Sequence, residues 1–129
     1  MRQMLTLTLL QQRSASDRLK GVTWTSQIDH PGSEIVTALL DTLMHDPNVN
    51  VRLASVDALR RFADRDSVRR GAVEALPRQT SALVQIALID FLVEVGGRES
   101  AATLRGLTQD PRLDHTVRER AAWALQHVS

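Results

Sequence analysis

The chain contains no cysteine among its 129 residues. That excludes a disulfide framework, a cysteine nucleophile and a thiolate metal site, and leaves the redox compartment open. Tyrosine is absent as well, and aromatics make up only 3% of the sequence. Base-stacking platforms and aromatic cages therefore have little to be built from. Neither sign of charge prevails: 16 basic and 15 acidic residues leave a formal net charge of +1, which argues against a dedicated nucleic-acid partner. No apolar run approaches the roughly 18 residues that read as a membrane span. His30, His45, His115 and His127 are scattered without the close spacing of a metal site, so no metal and no cofactor is expected. No glycine-rich phosphate loop and no G-x-S-x-G elbow occurs, and the sequence does not read as an enzyme.

What is present is a globular composition, 43% hydrophobic and 24% charged. A chain of this length buries roughly two-thirds of the surface it exposes when unfolded. Residues 1–10 lack the small-residue cleavage site of a signal peptide, and Thr6 and Thr8 break the apolar stretch. They read instead as a helix over Met4 to Gln11 with Met4, Leu7 and Leu10 on one face. No capping residue precedes it, so Met1 is either a boundary within a longer parent or a frayed native start.

The strongest signal is internal repetition. Val51 to Leu59, Val84 to Leu92 and Val117 to Leu125 start 33 residues apart, and each opens on valine and closes on leucine. Each has helical periodicity, with core faces at Val51, Ser55, Ala58, Leu59 and Phe62, at Val84, Leu88, Phe91, Leu92 and Val95, and at Val117, Ala121, Ala124, Leu125 and Val128. A first helix precedes each: Ser33 to His45, Ser67 to Leu76, and Glu99 to Thr108. Asp46-Pro47-Asn48, Pro77-Arg78-Gln79-Thr80, Gly96-Gly97 and Asp110-Pro111 are the breaks, the glycines closing a helix. Thr116 and Glu119 have capping-box spacing. Arg18 to Val22 matches Arg52 to Val56 at an offset of 34, so residues 1–32 form a degenerate N-terminal unit that ends in a loop over Thr25 to Gly32.

Helix pairs of this length cannot bury their apolar faces alone, so stacking is required. The expected fold is all-α, a short right-handed α-solenoid and a single domain over 1–129. Repeats at 33–65, 66–97 and 98–129 follow the capping unit at 1–32. Positions 54 and 87 are alanine, which suits stacking, whereas the equivalent Arg120 suggests a polar terminal cap.

Leu43 to Leu59, with Asp46-Pro47 before the second helix and Val51-Arg52 opening it, resembles a HEAT repeat. The second unit lacks Asp-Pro and carries Gln85 where the arginine would stand. The resemblance implies a non-catalytic protein-interaction scaffold. Ser16 to Trp24, Asp46 to Ala54 and Leu83 to Asp90 resemble, more narrowly, the C-terminal repeat region of bacterial membrane-anchored zinc-finger anti-sigma-factor-like proteins. Those place a cytoplasmic Cys/His segment before one membrane span and HEAT-like repeats outside. This sequence contains neither the zinc motif nor the span. The resemblance implies a role in transcription regulation through a larger parent, on the periplasmic side; the alternative is a stand-alone cytoplasmic adaptor. HEAT-like enzymes exist, DNA glycosylases and bilin lyases among them. The former would need a more basic concave face and the latter a larger pocket.

In such stacks the second helices line the concave surface. Opposite the core face lie Leu53, Asp57 and Arg60, then Ile86, Asp90 and Val93, then Glu119, Trp123 and Gln126. This mixed strip suits a protein or peptide partner, with Trp123 as its anchor. The same residues could instead pack against neighbouring units. Asp57 and Asp90 make a carboxylate pair conceivable, although nothing in the sequence raises either pKa. Trp24 is either a core plug or an exposed contact. Arg52 and Arg118, following Asp46 and Asp110, suggest a ladder in which each aspartate caps a turn and pairs with a neighbouring arginine. Arg60, Arg61, Arg65, Arg69, Arg70 and Arg78 form a cluster. Seven basic against four acidic residues between 52 and 78 leave +3, too little unpaired charge for a phosphate track.

Overall fold

The computed structural model describes residues 2–95 and 97–128. Among these the chain is all-α, with eight helices, three short 3-10 turns and no strand. The second helices of the three repeats, α4 (Val49–Arg60), α6 (Ala82–Val95) and α8 (His115–Leu125), begin 33 residues apart each time. The chain divides into two compact units, Met1–Asp64 and Arg65–Ser129.

In the first unit, α1 (Arg2–Leu10) packs on α2 (Ala15–Trp24), α3 (Ser33–His45) packs on α4, and α2 packs on α4. The pairing of α2 with α4 is what the weak match between Arg18–Val22 and Arg52–Val56 leads one to expect. Val22 and Val56 are both buried, and the small residues Gly21 and Ser55 occupy the preceding position. Gly21 is small by necessity: a Cβ there would lie 2.9 Å from the Leu10 backbone nitrogen and 3.0 Å from Leu9 Cβ. That close crossing sets the rotation of α1. Thr6 and Leu10 face inward, and Met4 is 73% exposed. The expected Met4, Leu7, Leu10 face is therefore corrected at Met4. Burial of Thr6 costs little because its hydroxyl donates to the Arg2 carbonyl at 2.9 Å.

α3 has the expected bounds and buries Ile35, Val36, Leu39 and Leu43. The residues between α2 and α3 are less irregular than expected. Thr25–Gln27 forms a 3-10 turn, the Thr25 hydroxyl donates to the Val22 carbonyl at 2.6 Å, and Thr25 and Ile28 are buried. Asn48 caps α4: its Oδ1 accepts from the backbone N–H of Asn50 at 2.9 Å and of Val51 at 3.2 Å.

In the second unit, α5 (Asp66–Ala75) runs into a 3-10 turn at Leu76–Arg78. It packs on α6, α6 packs on α8, and α7 (Ala101–Thr108) packs on α8. A 3-10 turn at Arg98–Ser100 takes the start expected for α7. The core is Val68, Leu76, Val84, Leu88, Ile89, Phe91, Leu92, Leu104, Leu107, Val117, Ala121 and Ala124, all nearly inaccessible. Ile89 lies outside the expected stripe and is fully buried. α6 ends at the expected glycines, with the Gly97 N–H donating to the Leu92 carbonyl at 3.4 Å; Gly96 lies outside the described residues. The capping box at Thr116 is corrected. Asp114 is the N-cap of α8 and accepts from the Thr116 N–H at 2.9 Å. Its carboxylate stands two residues earlier and satisfies the orphan donor first. Glu119 instead pairs with His115 Nε2 at 2.8 Å.

Candidate interaction surface

The nine strip residues fall in separate units, and none is buried. In the first unit, Leu53 and Arg60 are half-buried on α4, and Asp57 is exposed and pairs with Arg60 at 3.3 Å. Asp57 also lines a small groove with Val22, Thr23, Ala54, Ala58 and Arg61. In the second unit, Ile86, Asp90 and Val93 are half-buried on α6, and Glu119, Trp123 and Gln126 are exposed on α8.

Asp90 is held by Arg120, whose Nε donates to Oδ1 at 2.7 Å. The Arg120 guanidinium thus turns back to the preceding second helix. The same guanidinium lies over the Trp123 ring, 3.8 Å from its centroid. The His127 ring stacks on Trp123 at 4.2 Å with 24° between the planes. Two groups this close to one centroid cannot share a face, so both faces of the indole are covered. His127 is further held by a 2.8 Å hydrogen bond between its Nδ1 and the Trp123 carbonyl. Trp123 remains 37% exposed and offers its edge rather than its face. Its four-group stack, Asp90–Arg120–Trp123–His127, is an ordered surface feature that joins α6 to α8. The sequence carries its spacing (i, i+3, i+7, with His127 in the turn just past α8) but not the reach of Arg120 to Asp90.

Trp24, at the end of α2, is 38% exposed beside Arg2, Leu5 and Gln27. It is not a core plug. The aspartate ladder takes a different form from the expected one. Asp46 does cap its own turn, accepting from the Asn48 N–H at 2.9 Å. Its arginine, however, is Arg18 from the preceding second helix, not Arg52. Arg18 Nε donates to Oδ2 at 2.6 Å and Nη2 to Oδ1 at 3.2 Å. The remaining Nη1 donates to the carbonyls of Gln12 and Arg13. The Asp46 side chain is only 4% exposed, which makes this a sheltered two-point pair. Hydrogen bonding to Asp46 raises the Arg18 pKa above its ordinary value.

Asp110 repeats the turn geometry, with Oδ1 accepting from the Arg112 N–H at 2.9 Å. Its arginine is the local Arg112, through Nε at 3.1 Å and Nη2 at 3.1 Å. The Arg112 side chain, then its backbone N–H, hold the Asp110 carboxyl below the usual carboxylate range. In the arginine cluster, Arg60, Arg69 and Arg78 pair with Asp57, Asp66 and Glu74 respectively. No group of three or more metal-ligating side chains is found among the described residues, and none of their helices is long and apolar enough to cross a membrane.

Residues 36–126 match the protein-family profile described as HEAT repeats. Neither the curated proteins nor the solved structures contain a match.

Proposed function

The chain belongs to the HEAT-repeat family, and from that premise we propose that it is a non-catalytic protein–protein interaction module. HEAT repeats commonly serve as protein-interaction scaffolds, and the family is generally not catalytic. The observation that carries the proposal is the ordered stack around Trp123. A half-exposed aromatic whose rotamer is already fixed loses little entropy when a partner covers its edge. Ile86 and Val93 on α6 add apolar area within the same unit. Asp90, Glu119 and Gln126 add polar groups there, and Leu53, Asp57 and Arg60 are a separate patch on α4 of the first unit. The partner is a peptide or helix segment of another protein.

The test begins with a partner captured from the native host, identified by mass and then purified. Its affinity is measured against the wild-type chain, Trp123→Ala and Ile86→Asp, with circular dichroism as the fold control. Losses of about tenfold or more are expected for a buried anchor. Folded variants that bind like the wild type would sink the strip.

The similarity of Ser16–Trp24, Asp46–Ala54 and Leu83–Asp90 to the repeat region of membrane-anchored anti-sigma-factor-like proteins supports a finer reading. In it this domain is the extracytoplasmic end of a larger regulator. An antibody against the chain decides. A band far heavier than 14.3 kDa in the membrane fraction is expected, whereas a soluble band near that mass replaces the reading with a stand-alone adaptor.

A further inference from the structure

In the first unit, Gly21 of α2 lies against Leu9 and Leu10 of α1, while Arg2 at the other end of α1 reaches the Gln27 carbonyl beyond α2. The two helices therefore run antiparallel, and the start of α1 stands beside the end of α2. A groove of about 490 Å³ opens there, lined by Arg2, Leu5, Trp24 and Gln27. Arg2 and Leu5 are three residues apart and share a face of α1. Leu5 is 51% exposed and Trp24 38%. Single apolar residues on a surface are ordinary, but these two converge on one groove and form a patch.

Among the described residues, Arg2 is the one charged group in the lining. Its Nη1 donates to the Gln27 carbonyl at 3.1 Å, and it forms no ion pair with any described residue. The carbonyl takes one of five donors and holds the guanidinium in place without neutralising it. Such a cation costs little while water reaches it. A partner that covers Leu5 and Trp24 covers Arg2 as well, and a covered charge without a counter-charge is strongly unfavourable. A basic partner would add repulsion, and a purely apolar one would strand the guanidinium. The lining thus selects an occupant that brings an apolar side chain and a carboxylate together.

We propose that this groove docks an acidic peptide segment of a partner protein. An apolar side chain of the segment lies against Leu5 and Trp24, and an aspartate or glutamate side chain accepts from the remaining N–H groups of Arg2 in a charge-assisted pair. Arg2 and Leu5 are separated by a rise of about 4.5 Å along α1, so the two partner groups stand one helical turn apart. Tryptophan and arginine are also the residue types that most often anchor interfaces. The inference rests on the interaction-module reading and gives it a contact in the first unit, whereas Trp123 lies in the second.

The test is a titration of the full chain, labelled with ¹⁵N, with a tetrapeptide that carries leucine first, glutamate fourth and alanine between. It is acetylated and amidated, so the glutamate is its only charge. A second peptide has glutamine in place of the glutamate. Saturable shifts are expected at the Trp24 indole N–H and the Gln27 backbone amide, with the glutamine peptide binding about tenfold more weakly or worse. Arg2→Gln keeps a donor for the Gln27 carbonyl and should make the two peptides bind alike. Trp24→Ala should weaken both, with circular dichroism as the fold control. No saturable shift at these groups, equal binding of the two peptides to the wild type, or a preference for glutamate that survives in Arg2→Gln would overturn the proposal. Tighter binding of N-acetyl-leucine, whose carboxylate is terminal, would also overturn it, in favour of a chain terminus. Such failures leave the module reading intact if the captured partner still depends on Trp123. Loss of that dependence with the titration succeeding would do the reverse.

Discussion

At the scale of single residues, polar side chains on this protein are held in pairs and stacks. Arg120 has two jobs at once, an ion pair to Asp90 and a face over Trp123. Both contacts are partly exposed, so Arg120→Ala is expected to cost only about 0.5–1 kcal/mol of stability. It should nonetheless free one face of the indole. In a Trp24→Phe background, Trp123 fluorescence should shift to the red and become more accessible to a soluble quencher. Unchanged emission and quenching would contradict the stack. Asp110 makes a prediction in pH. Its folded carboxyl is held below the ordinary range, so its stabilising contribution is complete above the unfolded value. That contribution fades as the pH falls through the folded value. Thermal unfolding followed down the acid limb should therefore lose less stability in Asp110→Asn than in the wild type.

At the scale of elements, caps and close crossings decide where helices sit. Asp114→Ala should destabilise the chain by about 1 kcal/mol, as loss of an N-cap does. Thr116→Ala should stay within about 0.5 kcal/mol. A larger effect at Thr116 than at Asp114 in chemical denaturation would restore the capping box. Gly21 offers a test of sign. Replacing a helical glycine with alanine ordinarily stabilises by about 1 kcal/mol. Here the new Cβ meets the Leu10 backbone nitrogen at 2.9 Å, so Gly21→Ala should instead destabilise by about 1–3 kcal/mol. A stabilised variant would show that α1 and α2 do not cross at this glycine.

At the scale of the whole molecule, the two compact units each carry one tryptophan, Trp24 and Trp123. Repeat proteins unfold together only when the interfaces between units are strong relative to the units themselves. A single domain over 1–129 requires that urea unfolding of Trp24→Phe and Trp123→Phe, each followed by its remaining tryptophan, give one midpoint once their stability differences are allowed for. Two separated midpoints would divide the chain at Asp64.

The sequence by itself determined the helix class, the 33-residue step and most of the core, because burial on a helix obeys a fixed angular period that valines and leucines spell out. Val51 to Leu59 and Val117 to Ala124 needed no coordinates. Tertiary structure decided whatever depends on contact between elements distant in the chain. Arg18 pairs with Asp46 rather than Arg52 doing so, Arg120 turns back to Asp90, and Met4 faces outward because Gly21 sets the crossing of α1. A period records which face of one helix is apolar, whereas a pair across two helices depends on a distance that no period contains.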